Sequence, residues 1–169
     1  MNRRDIKDRH ESSVLLYFKK YLQNINKQLE IHERPDPPDA LVSIDRNKTW
    51  IEITDAFLNG EFARTLTSLS TEDIDDYAPA ENPFIIIPDE LFSDKVLEVI
   101  SKKYQKKTMS AIYKKYGPGV LLVGLYSPYM EQDEINDLRE QVAEFRQRND
   151  DRFEQIYLYD PSHRFYQVP

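Results

Sequence analysis

The 169 residues read as an α/β sandwich, a mixed central sheet flanked by helices. Three observations predict it. Segments with helical hydrophobic spacing alternate with strand-like runs along the chain. One run, VLLVGLY at 120–126, is apolar throughout, as expected of a strand buried on both faces. The resulting order of helix, hairpin, helix, buried strand, helix and closing strands is that of layered α/β packing. At this length the chain fits one domain, residues 1–169, with a sizeable core.

The first element is a helix. Asp8 and Glu11 have capping-box spacing, and Val14, Leu15, Phe18, Leu22, Ile25 and Leu29 then recur at helical intervals. Residues 29–32 begin a first strand. Pro35, Pro37 and Pro38 impose an extended lead-in, because each holds its preceding residue out of the α region.

Residues 40–44 and 49–54, rich in Val, Ile, Thr and Trp, form a hairpin around Asp45-Arg46-Asn47-Lys48. The expected register pairs residues whose numbers sum to 93, so 44 faces 49 and 39 faces 54. Asp39, Leu41 and Ser43 then share a face with Trp50, Glu52 and Thr54, while Ala40, Val42, Ile51 and Ile53 make a core face. Asp39 and Glu52 become diagonal neighbours, about 7–8 Å apart and able to converge on one cation.

Beyond the hairpin lies an acidic stretch, STEDIDDYAPAENP, and then 83–88, an apolar run bracketed by prolines that reads as an edge strand or buried connector. A long helix from Ser93 carries Val96, Leu97, Ile100, Tyr104, Ile112 and Tyr116, and stops at Gly117-Pro118-Gly119. Ile135, Leu138, Val142 and Phe145 mark a third helix. Residues 153–159 and 165–168 are closing strands around an Asp160-Pro161-Ser162-His163 turn.

Composition narrows the chemistry. No apolar run approaches the roughly 18 residues needed to cross a bilayer, and MNRRDIKDRHESS offers no secretory signal, so no membrane association and a cytoplasmic location are expected. Without cysteine there is no thiolate zinc site or cysteine nucleophile, and His10, His32 and His163 are too scattered for an imidazole metal site. Carboxylates and lysines remain.

A net charge of −7 opposes non-specific coating of nucleic acid. Its distribution is uneven, however. Residues 1–30 hold seven basic and four acidic side chains, and residues 101–116 hold six lysines and no acid. Nucleic acid and protein both stay open as partners, and oligomeric state is not fixed.

Pro38-Asp39 ahead of one strand, Ile51-Glu52-Ile53-Thr54 in the next, and then a basic helix and strand reading YKKYGPGVLLVGLY follow a familiar order. The chain thereby resembles the PD-(D/E)XK, restriction-endonuclease-like nuclease superfamily over roughly residues 10–126, with 127–169 as a C-terminal helix-strand extension. The resemblance implies phosphodiester hydrolysis dependent on Mg²⁺ (or Mn²⁺). Asp39, Glu52 and the carbonyl of Ile53 would be the metal ligands, hard oxygens of the kind Mg²⁺ prefers.

The family's lysine belongs two residues after the glutamate, where this chain has Thr54, no base at neutral pH. Some members of the superfamily carry that lysine on the following helix. Val96, Ile100, Lys103 and Lys107 share a helical stripe, so Lys103 is the first choice for the catalytic lysine and Lys107 the second. Lys48 has the parity of Glu52 but stands roughly 13 Å away along the strand. Lys103, Lys106, Lys107 and Lys114 would face nucleic acid, and the interleaved Tyr104, Tyr113 and Tyr116 suit either base stacking or a core.

Trp50 and Leu41 mark the acids' face as covered, so a carboxylate there needs a partner. Glu11 and Glu30 could join a carboxylate cluster, with capping the stronger role for Glu11. Two blander readings compete. One makes Glu52 an ordinary solvent-facing residue. The other is an inactive nuclease-fold module acting as a protein-binding accessory or immunity-type factor, for which Thr54, the acidic total and the acidic 71–81 segment speak.

Overall fold

A computed structural model describes residues 2–58, 89–127 and 130–169. The acidic 71–81 segment and the 83–88 run lie outside the described residues. The elements are helix α1 (Arg3–Asn24), strands β1 (Leu29–Glu33), β2 (Ala40–Ile44) and β3 (Asn47–Phe57), helices α2 (Asp89–Gln105) and α3 (Lys107–Tyr116), strand β4 (Gly119–Tyr126), helix α4 (Gln132–Gln147), and strands β5 (Phe153–Tyr159) and β6 (Phe165–Gln167).

The six strands form one mixed sheet in the order β1-β2-β3-β4-β5-β6. Pairing is parallel between β3 and β4 and between β4 and β5, and antiparallel elsewhere. Both faces are covered, which is why the β4 sequence is apolar without alternation. On one face Val14, Leu15, Phe18 and Leu22 of α1 meet Ile51, Ile53, Leu122 and Tyr157. On the other, Val96, Ile100, Met109, Ile112, Leu138 and Val142 of α2, α3 and α4 meet Trp50, Leu121, Val123 and Ile156. The chain is α/β, with helices on both sides of a mixed sheet. Among the described residues no helix is long and apolar enough to cross a membrane.

Four local expectations are corrected. Helix α1 begins before Asp8. Asn2 accepts the Asp5 N–H at 3.0 Å and Asp5 accepts the Asn2 N–H at 3.2 Å, a capping box nearly two turns upstream. Glu11 therefore sits mid-helix and buried, not at a cap.

The hairpin register is tighter by two. Ala40 pairs with Ile51 and Ile44 with Asn47, because Asp45 (φ 49) and Arg46 (φ 70) alone make the turn. Two successive left-handed residues are the signature of a type I′ turn, whose twist matches the flanking strands. Parity is unchanged, so the expected faces of the paired residues stand, but Asp39 precedes β2 outside the ladder and meets Lys7 of α1, whereas Glu52 meets Lys103 of α2.

The proline segment turns; it is not extended. Asp36 has φ 42 and its N–H donates to the Pro38 carbonyl at 2.9 Å.

The long basic helix is in fact two, parted at Lys106, whose ψ of 125 is extended. The Tyr104 carbonyl, which a continuous helix would offer to residue 108, accepts Arg152 Nη1 at 2.5 Å instead. Lys107 thus opens a new helix and leaves the stripe of Val96, Ile100 and Lys103.

Candidate functional site

Asp39 and Glu52 are both buried, 3% and 4% exposed, where the lead-in to β2 meets the middle of β3. Asp39 Oδ2 accepts the Ile53 N–H at 2.7 Å, which ties its carboxylate across the hairpin. The charge of Asp39 is felt at Glu52, so the two acids are neighbours.

Glu52 points to the α2 side of the sheet. Lys103, on the inward stripe of α2 with Val96 and Ile100, donates Nζ to Glu52 Oε1 at 2.5 Å, and its side chain is 13% exposed. Glu52 Oε2 is buried without a hydrogen-bond partner among the described residues. Burial, first, and the Asp39 charge, second, push the Glu52 carboxyl above its usual range, against the pull of Lys103 and then Lys106. The two carboxylates and the lysine are therefore one electrostatic unit.

On the α1 side Asp39 meets a different arrangement. Lys7 Nζ lies 2.9 Å from Asp36 Oδ1, 3.2 Å from Glu11 Oε1 and 3.9 Å from Asp39 Oδ1. Burial opposes the Lys7 charge, but the Asp36 hydrogen bond and the Glu11 and Asp39 charges outweigh it and raise its pKa. Arg34 donates Nη2 to Glu11 Oε2 at 2.9 Å, Nη1 to Ser12 Oγ at 2.6 Å and Nε to the Asp39 carbonyl at 3.3 Å. Its Nη1 also lies 2.9 Å from Asp8 Oδ1. Both Glu11 oxygens are thus spent on cations. Burial and Asp39 still raise its carboxyl.

The remaining candidates disperse. Lys106, Lys107 and Lys114 are exposed and make no contact with either acid, although the charge of Lys106 is felt at Glu52. Lys48 is exposed beside Ser43 at the far end of β3. Thr54 is half-buried, in register with Val123. Trp50 is fully buried in the core, where its Nε1 donates to the Gly117 carbonyl at 2.8 Å, so it lines no open groove. Tyr104 is a core residue, set edge-on to Phe153, and Tyr113 is half-buried and donates to Asp151. Glu30 is exposed on edge strand β1.

Sequence reading missed Lys7, Arg34 and Asp36. The Lys7–Glu11 spacing and the Arg34-Pro35-Asp36 run just before Asp39 were the available signals. Neither says that α1 packs against that turn.

Among the described residues no group of three or more His, Asp or Glu side chains is placed to hold a metal. An ion here would take two carboxylates and otherwise water, a ligand set that suits Mg²⁺. The partnerless Glu52 Oε2, near enough to Asp39 to feel its charge, fits such an ion. No family model, curated protein or solved structure matches the chain.

Proposed function

We propose that the chain is a Mg²⁺-dependent phosphodiester hydrolase acting on nucleic acid, with a PD-(D/E)XK-like core in which Lys103 replaces the lysine that Thr54 lacks. The observation that carries this reading is a buried acid with one oxygen on a lysine and the other without a partner, within reach of the charge of a second buried acid. An isolated buried carboxylate oxygen costs free energy, and such costs concentrate at functional sites. The order of α1, β1, β2, β3, α2, α3 and β4, with Asp39 before β2 and Glu52 within β3, also supports it.

Asp39, Glu52 and the Ile53 carbonyl would hold the ion. When bound, Mg²⁺ supplies polarisation of a phosphoryl oxygen and a more acidic water. The protein supplies the rest. Ile53 N–H fixes the Asp39 carboxylate. Lys103, seated on Glu52, places positive charge at that acid without a motif lysine on the strand. Lys106, Lys107 and Lys114 leave exposed charge on α3 and its approach for a phosphate backbone.

Single- and double-stranded DNA and RNA incubated with Mg²⁺ or Mn²⁺ should be cut by the wild-type chain. Asp39→Ala should abolish cutting and Mn²⁺ binding by electron paramagnetic resonance. Lys103→Met should lower turnover by about 10²-fold or more while Mn²⁺ still binds. No cleavage of any substrate, or cleavage that survives Asp39→Ala, sinks the proposal.

One observation favours a second reading. Lys103 and Glu52 already neutralise each other at 2.5 Å, which suits an inactive module that binds a protein partner. That module binds no Mn²⁺, and its stability is indifferent to the ion.

A further inference from the structure

The α1 face carries a second polar group that the proposed chemistry does not use. Asp55 on β3 pairs with Gly124 on β4, and Gly124 with Tyr159 on β5, so the three lie at one level of the parallel strands. A Cβ at position 124 would collide with Asp55 Oδ1 and with the rings of Tyr126 and Tyr159. Glycine leaves a gap there. Across it the fully buried Tyr159 donates its hydroxyl to Asp55 Oδ1 at 2.5 Å. The other oxygen, Oδ2, lies 2.8 Å from Nε2 of His10 on α1.

Other groups surround the imidazole. On its own helix Lys7 and Glu11 flank it. From β4 the Tyr126 ring stands 6.1 Å away. From the β5–β6 turn comes His163, stacked on Tyr17 of α1 at 4.2 Å, with Asp160 behind it. Arg34 and Asp36, from the β1–β2 connection, are engaged by Glu11 and Lys7.

We propose that a proton on His10 clasps α1 to the carboxyl ends of β3, β4 and β5 through Asp55, so that the helix docks firmly in acid and loosens as pH rises. The geometry permits an ion pair: Asp55 has one oxygen filled by Tyr159, and the other lies 2.8 Å from the imidazole Nε2 without meeting it as an aligned hydrogen bond, so attraction there grows with the ring's charge. Consistently, the Asp55 contact, stronger than the opposing burial, holds His10 above its ordinary 6.5. Burial, then the charge of His10, pushes His163 below the same value.

The two histidines act in opposite directions. The contribution of His10 is complete below 6.5 and is lost as pH climbs through its raised folded value. That of His163 is present above 6.5 and is lost as pH falls through its lowered value. The clasp is independent of any phosphodiester chemistry. It nevertheless touches the candidate site, because α1 carries Lys7 and Glu11 to the Asp39 turn.

The test is a proton NMR titration of the three histidines in the full chain, assigned by triple resonance. His10 should titrate above 6.5 and fall toward it in Asp55→Asn. Hydrogen exchange over residues 3–24, as protection factors from about pH 6 to about pH 9, should show α1 losing protection in the wild type, and His10→Gln should flatten that loss. The comparison with the variant isolates His10 from His163. His10 titrating at or below 6.5, no response to Asp55→Asn, or parallel protection curves for wild type and His10→Gln would overturn the proposal. The wild-type titration decides even if a variant does not fold.

Discussion

The sheet buries acids under both of its helical layers, and the layers treat them differently. Under α1, Glu11 has a cation on each oxygen, and Arg34 reaches Ser12, Asp8 and the Asp39 backbone as well. Within that cluster Glu11, Lys7 and Arg34 are each held by more than one contact. Under α2, Glu52 has a single partner, Lys103, and an oxygen with none among the described residues. A buried charge is tolerated when paired and hydrogen-bonded. The α1 cluster meets that condition and reads as architecture. The α2 pair does not, and unfinished satisfaction of this kind is where a ligand belongs. Asp39 stands between them, which is how a structural clamp can position a reactive acid.

The comparison breaks most visibly at Arg34. Arg34→Met should cost about 2 kcal/mol, because it leaves Glu11 Oε2 buried without its partner, with only Lys7 on the other oxygen, and frees the Asp39 turn. Urea unfolding at neutral pH measures it. Arg34→Lys should recover little, since one ammonium cannot reach Ser12, Glu11 and the Asp39 carbonyl together. A loss under about 0.5 kcal/mol, the level of an ordinary surface substitution, would mean that the cluster is decoration and not a clamp.

What the chain reveals before folding follows the same division. Element types were legible because hydrophobic period reports burial: the β4 run, the α4 stripe and the α1 stripe from Val14 to Leu22 correspond to buried faces, whereas Ile25 is exposed at the end of α1 and Leu29 belongs to β1. The face shared by Leu41 and Trp50 was legible because strand parity survives a register shift of two, but the contacts of Asp39 with α1 and of Glu52 with α2 were not. The register itself was not, since Asp45-Arg46-Asn47-Lys48 offers turn chemistry at every position and only backbone twist selects the first pair. Nor was the break at Lys106, which depends on Arg152 arriving from far along the chain. Clusters built across layers, such as Arg34 with Glu11 or His10 with Asp55, leave no periodic trace.

A smaller effect is expected at Lys103. Lys103→Met removes one contact, not several, and should cost about 1–2 kcal/mol at neutral pH. Its signature is the pH dependence. Without the lysine, the Glu52 carboxyl, already raised by burial and then by Asp39, rises further. A raised acid contributes its stability below the unfolded value of 4.5 and loses it as pH climbs through the folded one. The deficit of Lys103→Met should therefore shrink as pH falls toward about 4 and widen toward neutrality. A deficit independent of pH would assign the loss to the packing of the lysine stem and not to its charge.

The smallest effect has the opposite sign. Glu52→Gln keeps the shape, discards the charge that burial penalises and leaves an amide oxygen for Lys103. The variant should match or exceed the wild type by up to about 1 kcal/mol in urea at neutral pH, with the gain vanishing toward pH 4.5, where the native acid is also protonated in the unfolded chain. At the same time it should lose Mn²⁺ binding. Stability held or raised while ion binding disappears is the pattern of a residue kept for function at the expense of the fold. A destabilised Glu52→Gln would instead make the Glu52–Lys103 pair a second structural clamp, and the contrast between the two layers would vanish.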